Sequence, residues 1–195
     1  MKVIGILGGV ASGKSLVAAE LGRLGAGLLD ADRAAHDVLR MPEIEAAVRR
    51  RWGASVFDAD GRIDRARLAR IVFAAPPERR HLERLTHPKI GRLLAQEAER
   101  LEAGGRAAAA LDAPLLLEAG WDKLCDTLVF VDAPRDVRLA RAVARGWSRE
   151  DFVAREEAQE SVRAKRERAD FVIDNSGSLE PTRSQVERLW RSLVG

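Results

Sequence analysis

The chain has 195 residues, enough to bury one good core with an insertion or two but not two large domains. Its 46% hydrophobic and 32% charged residues are those of a globular protein in water, and no apolar run approaches the roughly 20 residues of a bilayer crossing. The net charge is only +3, with acids interleaved among the arginines rather than a basic stretch suited to nucleic acid, and the lone Cys125 excludes a disulfide framework or a multi-cysteine zinc site.

The apolar run at 2–7 reads as a buried strand, so the N-terminus is expected to start the fold rather than to form a leader. It runs straight into Gly-Gly-Val-Ala-Ser-Gly-Lys-Ser at 8–15, and a helical pattern follows through Val17, Ala18, Glu20 and Leu21 towards Gly25. Strand, GxxxxGK(S/T) loop and helix in that order form a phosphate-binding P-loop. Gly8 and Gly13 let the backbone wrap an anion with its N–H groups inward, and the helix N-terminus adds positive potential. Lys14 would reach the β- and γ-phosphates, and the Ser15 hydroxyl would ligate magnesium. The expected ligand is a nucleoside triphosphate with Mg2+.

A second strand at 26–30 ends in the acidic pair Asp30 and Asp32. At the carboxyl edge of a parallel sheet, a carboxylate can orient an acceptor hydroxyl or take its proton. Asp30 reads equally well as a cap or loop contact; Asp32 is the stronger candidate. The stretch from Arg33 to about Gly104 is helical and charged, punctuated by Pro42, Gly53, the turn at 58–61, Pro76-Pro77 and Pro88. That is too long for one crossover helix and reads as an inserted helical subdomain.

Ala107 to Asp112 has a run of alanines that favours helix. The flanking Gly104-Gly105 and Asp112-Ala-Pro114 nevertheless leave room only for a strand, and a strand covered on both faces can use small residues. Asp112 is then placed for the magnesium shell, or for a turn cap before Pro114. Thr127 to Asp132 is a further buried strand, and Pro134 suits the first turn of a helix reaching Gly146. Arg138, Arg141 and Arg145 share one face of that helix, ahead of a charged segment. Arginines there can neutralise a transferring phosphoryl group, with Arg141 and Arg145 favoured over Arg138. Ser148 with Asp151 resembles a helix cap, 171–174 a short strand, and 179–194 a closing amphipathic helix. His36, His81 and His87 are dispersed without metal-ligand spacing, and the four tryptophans suit packing. The alternation gives an α/β fold with a central parallel sheet.

In sequence order, GGVASGKS (8–15), LLDADRAAHDVL (28–39), THPKI (86–90), DAPLLLEAGWD (112–122), RAVAR (141–145) and KRERADFVIDNSGS (165–178) together resemble the dephospho-coenzyme A kinase family. The resemblance covers nearly the whole chain and implies a P-loop nucleotide-kinase-like three-layer fold in a single domain. The implied division is a nucleotide-binding core of 1–35, 105–146 and 168–195, a helical coenzyme A-binding insertion at 36–104, and a lid at 147–167. It implies transfer of the ATP γ-phosphoryl group to the ribose 3′-hydroxyl of dephospho-coenzyme A in the cytoplasm, by a monomer or a simple oligomer, with no nucleic-acid or membrane partner.

Carried over by position, Gly9, Ala11, Ser12, Gly13, Lys14, Ser15 and Leu16 would cradle ATP, with Lys14, Asp32 and Arg141 catalytic and Arg145 in support. Asn175 would lie near the adenine. His87 with Pro88, and Pro114, Leu115, Leu116 and Glu118, would belong with Asp32 to the acceptor side. Ser15 and Asp112 would hold the metal, and Gln159, Lys165 and Arg166 would belong to the lid. Two departures stand out. Ala11 replaces a frequent glycine, which implies a position that does not need φ above zero, and Leu16 replaces a frequent threonine where only the backbone N–H is needed for phosphate. Other P-loop kinases of nucleosides, nucleotides or shikimate-like alcohols share the loop chemistry. A GTPase would need an Asn-Lys-x-Asp motif that is absent, and a regulatory nucleic-acid binder would leave Asp32 and Asp112 unexplained.

Overall fold

A computed structural model describes all residues, Met1–Gly195. Five strands, β1 (Lys2–Gly8), β2 (Gly27–Asp30), β3 (Ala108–Asp112), β4 (Thr127–Asp132) and β5 (Phe171–Asp174), pair in parallel in the order β2-β3-β1-β4-β5. The helices are α1 (Lys14–Arg23), α2 (Ala31–Leu39), α3 (Pro42–Trp52), α4 (Arg65–Ala74), α5 (Pro76–Ala103), α6 (Arg135–Ala144), α7 (Arg149–Glu157), α8 (Val162–Glu167) and α9 (Leu179–Val194). Two 3-10 turns, Ala54–Val56 and Trp121–Leu124, complete the chain. No helix is long and apolar enough to cross a membrane.

Ile4, Ile6, Val129, Val131 and Ile173 from the sheet meet Val17 and Leu21 of α1 and Val186 of α9 in one buried cluster. The alanines of β3 are strand, and Ala108, Ala109 and Ala110 are fully buried. Their small side chains suit the close seating of α1 on β3, which overrides their helical propensity. On the central strand, a side chain at Gly5 would come within 2.7 Å of the Cys125 Sγ and 2.8 Å of Leu128. Bare backbone is the only fit there.

Each strand from β2 to β5 ends in an aspartate, with Asp30 in register with Asp112 and Asp132 with Asp174. The carboxyl edge therefore carries four carboxylates, while β1, in the middle, ends in the glycines of the phosphate loop.

The chain forms two compact units, one of residues 1–30 with 96–195 and a helical one of residues 31–95. Within α5, Pro77 occupies the first turn but Pro88 is interior, contrary to its reading as a break. Proline removes one donor from a helix. Here Thr86, Ile90 and Leu94 bury one side of α5 both before and after it, and that packing carries the helix through. Pro134 lies just ahead of α6 at its N-cap rather than inside its first turn. The Ser148–Asp151 capping box is formed in both directions: the Asp151 N–H donates to the Ser148 Oγ at 3.0 Å, and the Ser148 N–H to the Asp151 carboxylate at 3.3 Å.

Candidate active site

The loop between β1 and α1 closes through a turn in which the Ser12 N–H donates to the Gly9 carbonyl at 3.1 Å. Gly13 adopts φ 101°, a left-handed conformation that glycine accepts without strain. Ala11 also lies at positive φ, 59°. The expectation that this position avoids φ above zero is therefore overturned. An alanine there costs on the order of 1–2 kcal/mol. Its methyl packs beside a small cluster of Val10, Ala142 and Phe152, which helps to hold it.

Lys14 is half-buried, and its ammonium approaches the Gly9 carbonyl at 3.4 Å. Burial holds its pKa below the ordinary lysine value; Asp112 and Glu118 oppose the shift, while Lys165 and Arg138 add to it. The Ser15 hydroxyl donates to the Asp112 carboxylate at 2.7 Å. These are two hard oxygen donors at the mouth of the loop, the right chemistry for Mg2+. No group of three or more His, Cys, Asp or Glu side chains could hold a metal by itself. The Leu16 N–H donates to the Gly13 carbonyl at 3.0 Å, in the first turn of α1.

The outer side of the loop is fastened by buried side chains. Arg138, 4% exposed, donates to the Val10 carbonyl at 3.3 Å and the Ala133 carbonyl at 3.1 Å, and pairs with Glu156 of α7 at 2.8 Å. A side chain at Gly9 would strike its guanidinium at 2.7 Å. Arg141 gives N–H groups to the Ser12 carbonyl at 3.2 Å and the Asn175 carbonyl at 2.8 Å. The Asn175 amide donates to the same Ser12 carbonyl at 2.7 Å, and its oxygen accepts from Thr182 at 3.0 Å. Ser12 itself is buried, and its carbonyl accepts from both Arg141 and Asn175. Arg145 is exposed at the end of α6.

Beyond the loop, Lys165 of α8 is 2% exposed, donates to Gln159 at 2.9 Å and lies 3.4 Å from Glu118. Glu118 also accepts the Glu160 N–H at 2.7 Å. Its carboxylate is thus engaged with the 159–165 segment. A cavity of about 460 Å³ opens between the loop and this segment, lined by Gly9, Val10, Arg138, Glu156, Gln159 and Ser161 among others. Pro114 is exposed and Leu115 half-buried, whereas Leu116, 1% exposed, is a core side chain beside Gly5.

Asp30 ends β2 and Asp32 lies exposed in the first turn of α2, at the start of the helical unit. His87 is half-buried in α5; burial lowers its pKa, which Glu83 partly opposes. The same unit holds a polar cavity of about 410 Å³ whose lining includes His36, Arg40, Glu45, Asp58, Arg62 and Arg65. That cavity, the bracing role of Arg138, and Glu156 and Thr182 all escape a reading of the sequence. Only the shared face of Arg138 and Arg141 hints at any of them.

A sequence model of the family described as dephospho-CoA kinase matches residues 2–181. A dephospho-CoA kinase of Symbiobacterium thermophilum is 43% identical over 198 aligned residues, covering all of this chain and 82% of the relative. Among solved structures, a protein of Thermus thermophilus is similar with a TM-score of 0.84 at 39% identity, covering 100% of this chain and 98% of the other. A dephospho-CoA kinase from Campylobacter jejuni gives 0.74 at 27% identity over the same shares.

Proposed function

This chain belongs to the dephospho-coenzyme A kinase family, and from that premise we propose the parts its residues play. It is an ATP-dependent kinase that moves the γ-phosphoryl group to the ribose 3′-hydroxyl of dephospho-coenzyme A, giving coenzyme A and ADP. The observation that carries the reading is the loop at 8–15, with Lys14 at its centre and the Ser15–Asp112 pair at its mouth.

ATP lies with its phosphates in the loop, where inward N–H groups and Lys14 meet the charge that accumulates as the bond to the leaving ADP oxygen breaks. Ser15 and Asp112 would hold Mg2+, which would supply neutralisation of phosphate charge. Asp32 accepts the proton of the acceptor hydroxyl, or orients it, as its oxygen bonds to the γ-phosphorus. Arg141, bound to the Ser12 carbonyl of the loop and the Asn175 carbonyl beyond β5, adds fixed positive charge at the rim. Dephospho-coenzyme A carries a diphosphate, and the cavity with Arg40, Arg62 and Arg65 offers guanidinium groups suited to it.

The test is ADP release from ATP and magnesium with and without dephospho-coenzyme A, with the product followed by mass. ADP formed only with the acceptor, and a product heavier by one phosphoryl group, is the expected result. Folded, ATP-binding protein without acceptor-dependent turnover would move the reading to other small alcohol acceptors.

A further inference from the structure

We propose that Asn175 is a positioning residue of the phosphate loop rather than a reader of the adenine. This rests on the reading of the loop as a triphosphate site. Asn175 lies just beyond β5, where the family resemblance brings it to the base, yet its side chain is 3% exposed and committed elsewhere. The Thr182 hydroxyl of α9 donates to its Oδ1 at 3.0 Å, with the Asp174 carbonyl a longer second acceptor at 3.3 Å, which fixes the amide with its NH2 group towards the loop. That group donates to the Ser12 carbonyl at 2.7 Å. Arg141 binds the same carbonyl at 3.2 Å and the Asn175 carbonyl at 2.8 Å, closing a ring of three residues, Ser12, Asn175 and Arg141.

The consequence follows from peptide geometry. In a planar trans peptide the C=O and the next N–H point in opposite directions. Holding the Ser12 carbonyl outward therefore turns the Gly13 N–H inward, towards the phosphates. Arg138 does the same two peptides earlier by holding the Val10 carbonyl and so turning the Ala11 N–H. The approach is close enough to exclude a side chain at Gly13, whose Cβ would stand 2.1 Å from the Asn175 amide nitrogen. Gly13 is thus needed for its neighbour as well as for its own φ.

A base-reading residue and a loop-positioning residue answer differently to changes in the ligand. Affinities for AMP, ADP and GDP, each with magnesium, are measured by calorimetry on the whole chain and on Asn175→Asp, Asn175→Ala, Thr182→Val and Thr182→Ser. Asn175→Asp keeps the shape but sets an acceptor against the Ser12 carbonyl, and it should weaken ADP by about tenfold or more. Thr182→Val, which frees the amide without touching it, should act in the same direction, and Thr182→Ser should restore binding. The preference for ADP over AMP should fall, while the preference for ADP over GDP stays as in the parent chain. The phosphorus resonance of the bound β-phosphate should move towards its free position, which a general loss of stability would not cause.

A collapse of the ADP-over-GDP preference would overturn the proposal and return Asn175 to the base. Unchanged ADP binding in Thr182→Val and Asn175→Asp would overturn it as well. If the parent chain binds ADP no better than AMP, the triphosphate reading of the loop falls first, and the proposal falls with it.

Discussion

The phosphate loop and the helical unit of residues 31–95 handle charge in opposite ways. Around the loop, buried or half-buried cations hold backbone carbonyls: Arg138, which also pairs with Glu156, those of Val10 and Ala133, and Arg141 those of Ser12 and Asn175. In the helical unit, cations pair with carboxylates near the surface, as in Lys89–Glu43 at 2.8 Å, Arg67–Asp64 at 3.0 Å and Arg79–Glu83 at 3.6 Å. Solvent-exposed pairs contribute little and are screened by salt. A buried guanidinium on a carbonyl instead fixes the direction of a peptide, because neither partner has water to turn to. One region uses charge to set geometry; the other uses it mainly to cover helices.

Four substitutions probe that contrast, from the largest effect to the smallest. Lys14→Ala removes the cation proposed to meet the phosphates and should lower turnover by about a thousandfold or more, read as acceptor-dependent ADP release. Burial lowers the Lys14 pKa in the free enzyme, and a bound polyanion raises it again. Nucleotide binding should therefore take up protons at pH values below the ordinary lysine value of 10.5, and Lys14→Ala should abolish that uptake. Calorimetry in buffers of different ionisation enthalpy measures it.

Asp32→Asn tests the contribution of the helical unit to the chemistry. It should lower kcat by roughly a hundredfold or more while leaving ATP affinity nearly intact. Normal turnover would reject Asp32 as the base and make Asp30 the next candidate.

Ala11→Gly relieves the left-handed alanine but loosens the unfolded chain, for a net gain of up to about 1 kcal/mol. For a chain of this size, that is about 2–4 °C in melting temperature. A fall in melting temperature would mean that the packing of the methyl outweighs the backbone strain. Smallest of all, Arg51→Ala deletes the partner of Glu78, which keeps its bond from the Trp52 indole at 2.8 Å. Kinetic constants should be unchanged and the melting temperature should move by less than about 2 °C. A large loss of activity would show that surface pairing in the helical unit matters to the reaction.

Features written in residue type are legible in the sequence. The glycines and Lys-Ser of the loop, the Ser148–Asp151 box and the apolar strands each require particular side chains at particular spacings. The alanine strand can be read only because Gly104-Gly105 and Pro114 bound it. Features set by backbone direction are not legible. Nothing in the letter Ala announces φ 59° at position 11. Nothing in Arg138, the least promising of three arginines on one helix face, announces that it is buried under the loop. Pro88 reads as a break because proline disfavours helix locally, and packing along α5 outweighs that preference. Glu118 and Lys165 come together only through tertiary approach, a relation no local pattern carries.

The fastening of the loop also bears on how the chain is made. The carbonyl of Ser12 is held by an amide 163 residues further on, and the hydroxyl that orients that amide comes seven residues later still. A chain emerging from the ribosome has its glycine-rich loop well before the parts that shape it. ATP can therefore offer little help to the early stages of folding, when only the first strand and helix are present. The nucleotide site is finished late, once β5 and the start of α9 have docked, so that a nascent chain halted before them holds the motif without the site.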